Sequence, residues 1–428
     1  MWRFPLAGNN GRTVVTVLGG SAVSTPVLIE SLASILPQSS VTIRLAGRNP
    51  ERLSAVARAC SILAGTGPLQ IEQFGSDQWN RALPGSDVVL VQIRPGDRDG
   101  RHFDETFPLA HGIPGDEGIG PGGLSAAHRA WPELRSVFQN IASYAPRAFI
   151  ILLSSPCSLL VRLAHRVRPE LALVGICELP LTTLKNICSL TSSGLDRVTF
   201  DYTGVNHLGW LYNVFCEGRN LLTSWLRSER RSAFPPPALI SAYNGFPLKY
   251  LRLHFERSEV VREQRMLPQS RAGQLSSIAA SSFSAFQSGN EQVIRNALRA
   301  RSADWYPHAV VPLLKACIQG ESGTPLFLSA ASTSGDVREC CYYAQGGQLC
   351  PAATQTKPSP QISVLTESFS EYDRVAAAAV VEGTEDALTG ALVRHPWIGS
   401  SHHAALLARD LHAYSHSYWD RRASEAYV

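Results

Sequence analysis

Residues 13–18 (TVVTVL) form an unbroken run of apolar and β-branched side chains that ends on Gly19-Gly20-Ser21 and passes into a helical pattern from Thr25-Pro26 to Leu36. A strand that is apolar on both sides has to be covered on both sides. Parallel sheets flanked by crossover helices meet that need. The same grammar returns at 41–45 with a helix over 51–63, at 87–93 (DVVLVQI), at 148–153 (AFIILL) and at 172–176. The alternation predicts an α/β fold, a Rossmann-like doubly wound parallel sheet over residues 11–195. From Asp196 the pattern changes. A strand over 197–203, a proline cluster at 235–237 and helical stretches around 239–256 and 271–320 come first. A Ser/Gln/Thr/Pro-rich loop or flap over 343–360 and a helix pair over 367–395 follow. Together they predict an α+β C-terminal domain over 196–428 that closes over the sheet edge.

Composition narrows the class. With 44% hydrophobic and 17% charged residues, the 428-residue chain can bury large cores, which excludes a disordered, solvating polymer. No stretch approaches about 20 consecutive apolar residues, so no membrane span is expected. The start, Met1-Trp-Arg-Phe-Pro, lacks the features of a secretory signal. Net charge is +4 without a dense basic run, which argues against a nucleic-acid partner. The nine cysteines are odd in number and contain no CxxC pair. Free thiols in a reducing cytoplasm are expected.

Four clusters can carry chemistry. Gly19-Gly20-Ser21 opens a helix after the first strand, where glycine permits close backbone approach to a pyrophosphate. GxGxxG is not met, because its positions hold Gly19, Ser21 and Ser24. After the second strand an NAD enzyme often places an acid, but here the chain reads Arg44-Leu-Ala-Gly-Arg48-Asn-Pro-Glu-Arg52. Arg48 can pair with a 2′-phosphate or lie on the adenine, which leaves the choice between NAD and NADP open. Next, Gln92-Ile-Arg94-Pro-Gly96, Gly100-Arg101 and the glycines of GIPGDEGIGPGG (112–123) suggest a binding loop. Arg94 and Arg101 can grip an anion there, or the loop is simply solvated. Cys177-Glu178-Leu-Pro180 and Asn206-His207 offer a thiolate and an imidazole to a transition metal, the alternative being a buried cysteine and an ordinary histidine. Two such ligands are too few for a structural zinc site and leave positions open for substrate oxygens. Last, Tyr250 in Lys249-Tyr250-Leu-Arg252, beside an arginine and near a metal, can have its pKa lowered enough to act as a base; the alternative is the packing face of an amphipathic helix.

Taken in order, these pieces resemble family 4 of the glycoside hydrolases, the NAD- and metal-dependent 6-phosphoglucosidases and their relatives. The resemblance runs through Gly19 to Pro26, Asp87 to Gly96, Gly100 to Glu105, Pro108 to Gly112, Gly120 to Gly123, Cys177 to Pro180, Gly204 to Leu208, Tyr250 to Arg252, Arg301 to Tyr306 and Val393 to Pro396. It implies a mechanism outside the paired-carboxylate scheme. The nicotinamide takes hydride from C3 of a sugar, a divalent metal (manganese) polarises the ketone, a tyrosine removes the C2 proton, the group at C1 is expelled, water adds, and hydride returns. Carried over by motif, Cys177 and His207 match the metal ligands and Tyr250 the base; Glu178, which departs from the motif, can serve as general acid. Gly19, Gly20, Ser21, Thr25, Arg48, Gln92, Arg94 and Ser155 would hold the cofactor. Arg94, Asn206, Arg252 and Arg301 would hold the substrate. A homodimer or homotetramer is implied.

Several positions depart from the family pattern. Ser154-Ser155-Pro156 replaces Thr-Asn-Pro, Glu178 follows the cysteine where Asn, Asp or His is common, and Gly118 stands where a threonine is expected. Ser302-Ala303 replaces a glycine pair and Leu253-His254 an aromatic pair. The cofactor chemistry looks retained while the sugar pocket looks rebuilt. Glycoside hydrolysis is the default expectation. Dehydration of a sugar or nucleoside by the same chemistry is the alternative, because a transient ketone acidifies any adjacent C–H. A non-catalytic NAD sensor needs neither base nor metal, which counts against it.

Overall fold

A computed structural model describes residues 2–4, 12–75, 77–229, 232–300 and 302–425. Fourteen strands of these residues join one sheet. In chain order they are β1 (Trp2–Arg3), β2 (Thr13–Leu18), β3 (Val41–Gly47), β4 (Leu69–Gly75), β5 (Val88–Val91), β6 (Phe149–Leu152), β7 (Leu173–Ile176), β8 (Val198–Val205), β9 (Leu208–Cys216), β10 (Arg219–Asn220), β11 (Phe246–Pro247), β12 (Leu326–Ala331), β13 (Val337–Gln345) and β14 (Gln348–Pro351).

The doubly wound sheet read from the sequence is present. Strands β2 to β7 are all parallel, in the order β7-β6-β5-β2-β3-β4. The order reverses between β2 and β5, and the carboxyl ends of those two strands open a crevice. Alternate residues feed opposite cores. Val89, Val91, Ile150 and Leu152 pack with Trp131, Phe138 and Ile141 of the helix Gly120–Tyr144. Val88, Leu90, Phe149 and Ile151 share the other core with the helices Thr25–Ile35 and Pro50–Ala64.

Two expectations need correction. Strand β4 was not foreseen, because as an edge strand it is mostly exposed and reads LQIEQFG rather than as an apolar run. The segment 343–360 is only partly loop. Strands β13 and β14 form a hairpin through it, turning on Gly346 and Gly347, both with positive φ (57° and 73°).

Beyond β7 the sheet continues antiparallel. Strand β12 pairs with β7 through Leu328 opposite Ile176. Strand β13 pairs with β12, and Glu339 of β13 also lies opposite Gly204 of β8. All nine cysteines are unpaired. No helix of the described residues is long and apolar enough to cross a membrane.

The loop after β5 is fixed by a buried ion pair. Arg129 Nη1 donates to Asp104 Oδ1 at 2.9 Å, its second fork arm holds Oδ2, and its Nε donates to the Pro95 carbonyl. Gly96 and Gly100 sit against this guanidinium. Gly100 lies inside the helix Asp97–Ala110, where alanine normally gains up to about 1 kcal/mol over glycine. A Cβ there would stand 2.8 Å from Arg129 Nε, and the bidentate pair leaves that group little room to yield. Gly100→Ala should therefore lower the urea midpoint; a higher midpoint would show that the guanidinium moves aside.

Burial also sets a pH dependence. It pushes the imidazoles of His128, His207 and His254 down to about 4 and that of His395 down to about 3. Unfolded, each takes up its proton near pH ~6.5. Between about pH 6.5 and 4 the unfolded chain binds the extra protons, so stability falls as pH falls. The carboxyls of Asp116 and Asp373, pushed up by burial to about 7 and about 6, act in the opposite sense. Among the largest shifts these are two groups against four, while the smaller upward shifts of Asp87, Asp104 and Glu339 stand against the downward shifts of His308, Asp336, Glu263 and Glu371. The urea midpoint of the metal-free protein should drop between about pH 7 and about pH 4.5, and a flat profile would mean that these histidines are charged in the fold.

Candidate active site

The crevice at the strand-order reversal is a cavity of about 780 Å³. At its floor the chain turns from β2 into the helix Thr25–Ile35. Gly19 has φ 88°, and a Cβ on it would stand 2.9 Å from the Gln92 carbonyl oxygen. Gln92 locks the turn: its Nε2 donates to the Gly19 carbonyl (3.1 Å) and to Thr25 Oγ1 (3.0 Å), while its Oε1 accepts from the Tyr306 hydroxyl (2.7 Å). Gly19, Ser21 and Gln92 line the cavity. Gly20 and Thr25 are not among its lining residues. A Cβ on Gly20 would run into Leu45, and Thr25 is fully buried and serves Gln92. Both therefore support the cradle from behind. A turn without a Cβ at Gly19, leading into the start of a helix, fits a dinucleotide pyrophosphate.

Arg48 and Ser155 also line the cavity. Arg94 and Arg101 both reach Glu117, each at 2.8 Å, and Arg101 holds Glu105 at 2.6 Å as well. The arginines of this loop are thus tied to the acid inside GIPGDEGIGPGG. The C-terminal helix Ser401–Glu425 adds Trp419 and Arg422 to the cavity wall.

At the other end Cys177 directly follows β7, and Asn206-His207 turn β8 into β9, with His207 at φ 69°. Tyr250 sits on the single turn Lys249–Leu251. The rings of His207 and Tyr250 stack in parallel, with centroids 4.4 Å apart. Cys177, Glu178, Asn206, His207 and Tyr250 all line the one cavity. Gly118 presses on this group: a Cβ there would stand 2.8 Å from His207 Nδ1, which explains glycine where a threonine was expected.

Electrostatics mark the spot. Burial first, then Glu178 and Glu339, push the Cys177 thiol well above its ordinary value. The Cys177 thiol lies 3.6 Å from Glu178 Oε2. Asp116 first, then burial and the acids Cys177, Glu117 and Glu178, hold the Tyr250 phenol well above 10. The expectation that Arg252 lowers this phenol is corrected. The Arg252 guanidinium is taken by Glu256 (2.7 Å) and Glu263 (2.8 and 2.7 Å), and it is not among the residues lining the cavity. The cation at Tyr250 is Lys249, whose Nζ lies 5.4 Å from the ring centroid. Arg301 lies outside the described residues.

A centre rich in acids, with a thiol, an imidazole and an unpartnered buried His207 Nδ1, fits a borderline-soft divalent cation. No cluster of three or more His, Cys, Asp or Glu in a metal-holding arrangement occurs among the described residues, so two protein ligands would leave positions open. One acid gave no sequence signal. Glu339, fully buried in the middle of β13, accepts from Asn206 Nδ2 at 2.9 Å and from the Tyr202 hydroxyl. This turns the Asn206 amide so that its oxygen is left for the cavity. Asp116, Glu117 and Tyr306 were also not singled out; an acid pair inside a glycine-rich loop was the available hint for the first two.

A model of the family 4 glycosyl hydrolases matches residues 13–192. The 6-phospho-alpha-glucosidase 1 of Lacticaseibacillus paracasei is 28% identical over 202 residues, 47% of this chain and 46% of that protein. The alignments with the first such relatives thus span about half the length of each. The 6-phospho-beta-glucosidase of Escherichia coli is 23% identical over 435 residues, 95% of either protein. Among solved structures, the 6-phospho-beta glucosidase of Thermotoga maritima with NAD and glucose-6-phosphate superposes with a TM-score of 0.83 at 20% identity, over 95% of this chain and 99% of that one. The same enzyme has been solved with manganese, NAD+ and glucose-6-phosphate.

Proposed function

We propose that this chain, which carries the family 4 glycosyl hydrolase sequence over residues 13–192 and a matching fold over most of its length, is a nicotinamide- and divalent-metal-dependent enzyme that hydrolyses a glycoside. Relatives named for 6-phosphoglucosides support a phosphorylated sugar as its substrate. The observation that carries the reading is the parallel stack of Tyr250 on His207, in the cavity that Cys177 and the Gly19 turn share.

When bound, a dinucleotide at the Gly19 turn supplies a reversible hydride acceptor, and a metal at Cys177 and His207 supplies a Lewis acid. The rest falls to side chains of this protein. Tyr250 takes the proton from the carbon next to the oxidised one. Its acid neighbours keep it a phenol, and a divalent cation held by Cys177 and His207 would offset their charge and favour the phenolate. Base strength and metal occupancy are therefore linked. Glu178 lines the cavity one residue from the thiol and gives a proton to the leaving group. Asn206 presents its amide oxygen to a sugar hydroxyl, oriented by Glu339.

The test is turnover of a nitrophenyl 6-phosphoglucoside with manganese and NAD in deuterium oxide. Released nitrophenol together with solvent deuterium next to the oxidised carbon is expected. An unsaturated product that keeps its aglycone would mean elimination instead of hydrolysis. Tyr250→Phe should slow exchange by roughly 10²-fold or more while dinucleotide affinity holds. Exchange that persists would remove Tyr250 from the role of base. Glu339→Gln frees the Asn206 amide to flip and should raise KM for the sugar by about tenfold, the worth of one hydrogen bond, at unchanged dinucleotide affinity. An unchanged KM would show that Glu339 does not orient Asn206.

A further inference from the structure

The end of the cavity beyond the Gly19 turn carries more positive charge than a plain dinucleotide requires. In doubly wound folds the adenosine ribose lies beside the carboxyl end of the second strand of the unit, where a carboxylate on the ribose hydroxyls selects NAD and repels a 2′-phosphate. Here that strand is β3, and Gly47, Arg48, Asn49 and Arg52 line the cavity just past its end. None is an acid. The Asn49 side chain is already occupied, capping the helix Pro50–Ala64 by accepting from the Arg52 backbone N–H at 2.9 Å. Glu51 is exposed and is not a lining residue.

The arginines here are only lightly answered. Arg48 Nη1 lies 3.4 Å from Glu133, and Glu133 is shared with Arg422 at 3.2 Å. Arg52 makes no ion pair among the described residues; its guanidinium carbon lies 5.3 Å from the centroid of the Phe283 ring. Arg98, also in the wall, gives an N–H to the Ser276 carbonyl and is close enough to Arg52 and Arg94 to feel their charge. Asp97 and Glu133 stand against these cations. Guanidinium forks match phosphate oxygens bidentately, and a group of them facing an open cavity is an anion site.

We infer that the crevice accepts a phosphate on the 2′-oxygen of the adenosine ribose, held by Arg48 and Arg52, so that NADP binds at least as tightly as NAD. The inference rests on the dinucleotide reading of the cavity proposed above. Calorimetric titration of the full chain with NAD and with NADP tests it without reference to turnover. The expected result is a Kd for NADP equal to or below that for NAD. Arg48→Ala and Arg52→Ala should each weaken NADP at least tenfold and NAD less than threefold, and retained NAD binding shows that the variants are folded. A Kd for NADP above that for NAD in the native chain overturns the inference, as does equal weakening of both nucleotides in the variants. If neither nucleotide binds the native chain, the dinucleotide reading itself fails and takes the inference with it.

Discussion

The pairing of β12 with β7, Leu328 against Ile176, is the contact on which the site depends. An uncovered parallel edge would expose a row of unpaired backbone groups beside Cys177. Continuing the sheet antiparallel removes that edge. It also brings two later pieces of chain to the carboxyl end of β7: the β8–β9 turn with Asn206 and His207, and the centre of β13 with Glu339. One run of backbone hydrogen bonds therefore sets the positions of a thiol, an imidazole, an amide and a buried carboxyl that are distant in sequence.

What gathers there is electrically unbalanced. Glu339 is fully buried, with Tyr202 and Asn206 as donors and, among the described residues, no cation as partner. Glu178 lies beside the thiol, and Asp116 and Glu117 act on Tyr250. Burial without a cation partner raises the carboxyls of Glu339 and Asp116, whereas Glu117 is answered by Arg94 and Arg101. The same acids, together with burial, hold the Cys177 thiol and the Tyr250 phenol protonated. A divalent cation held by Cys177 and His207 would favour the thiolate and the phenolate together.

How much of this could be read from the chain differs by element. Strands β2, β5, β6 and β7 are unbroken apolar runs, and burial on both sides is what produces such runs. Strand β4 is an exposed edge and resembles a loop in composition. The β13–β14 hairpin was hidden because its outward residues are as polar as those of the loop that follows it. Within the crevice, Cys177, His207 and Tyr250 were found by their place in an ordered series, and the fold gathers them in one cavity. Arg252 was given to the substrate through the Tyr250-Leu-Arg252 motif of the resemblance. Neighbours on a helical turn point in different directions, and two glutamates farther along take that guanidinium instead. Glu339 had no signature at all, since its importance comes from cross-strand pairing.

The cavity wall joins the Gly19 turn, near the start of the described chain, to Trp419 and Arg422 on the helix that ends it. Tyr418 of the same helix accepts the Gly96 N–H at 3.0 Å. A ligand lodged there acts as a clasp between the Gly19 turn and the helix Ser401–Glu425. Its binding free energy is then shared by nearly everything between them, so occupancy should make fraying of the final helix and opening of the nucleotide cradle a single event.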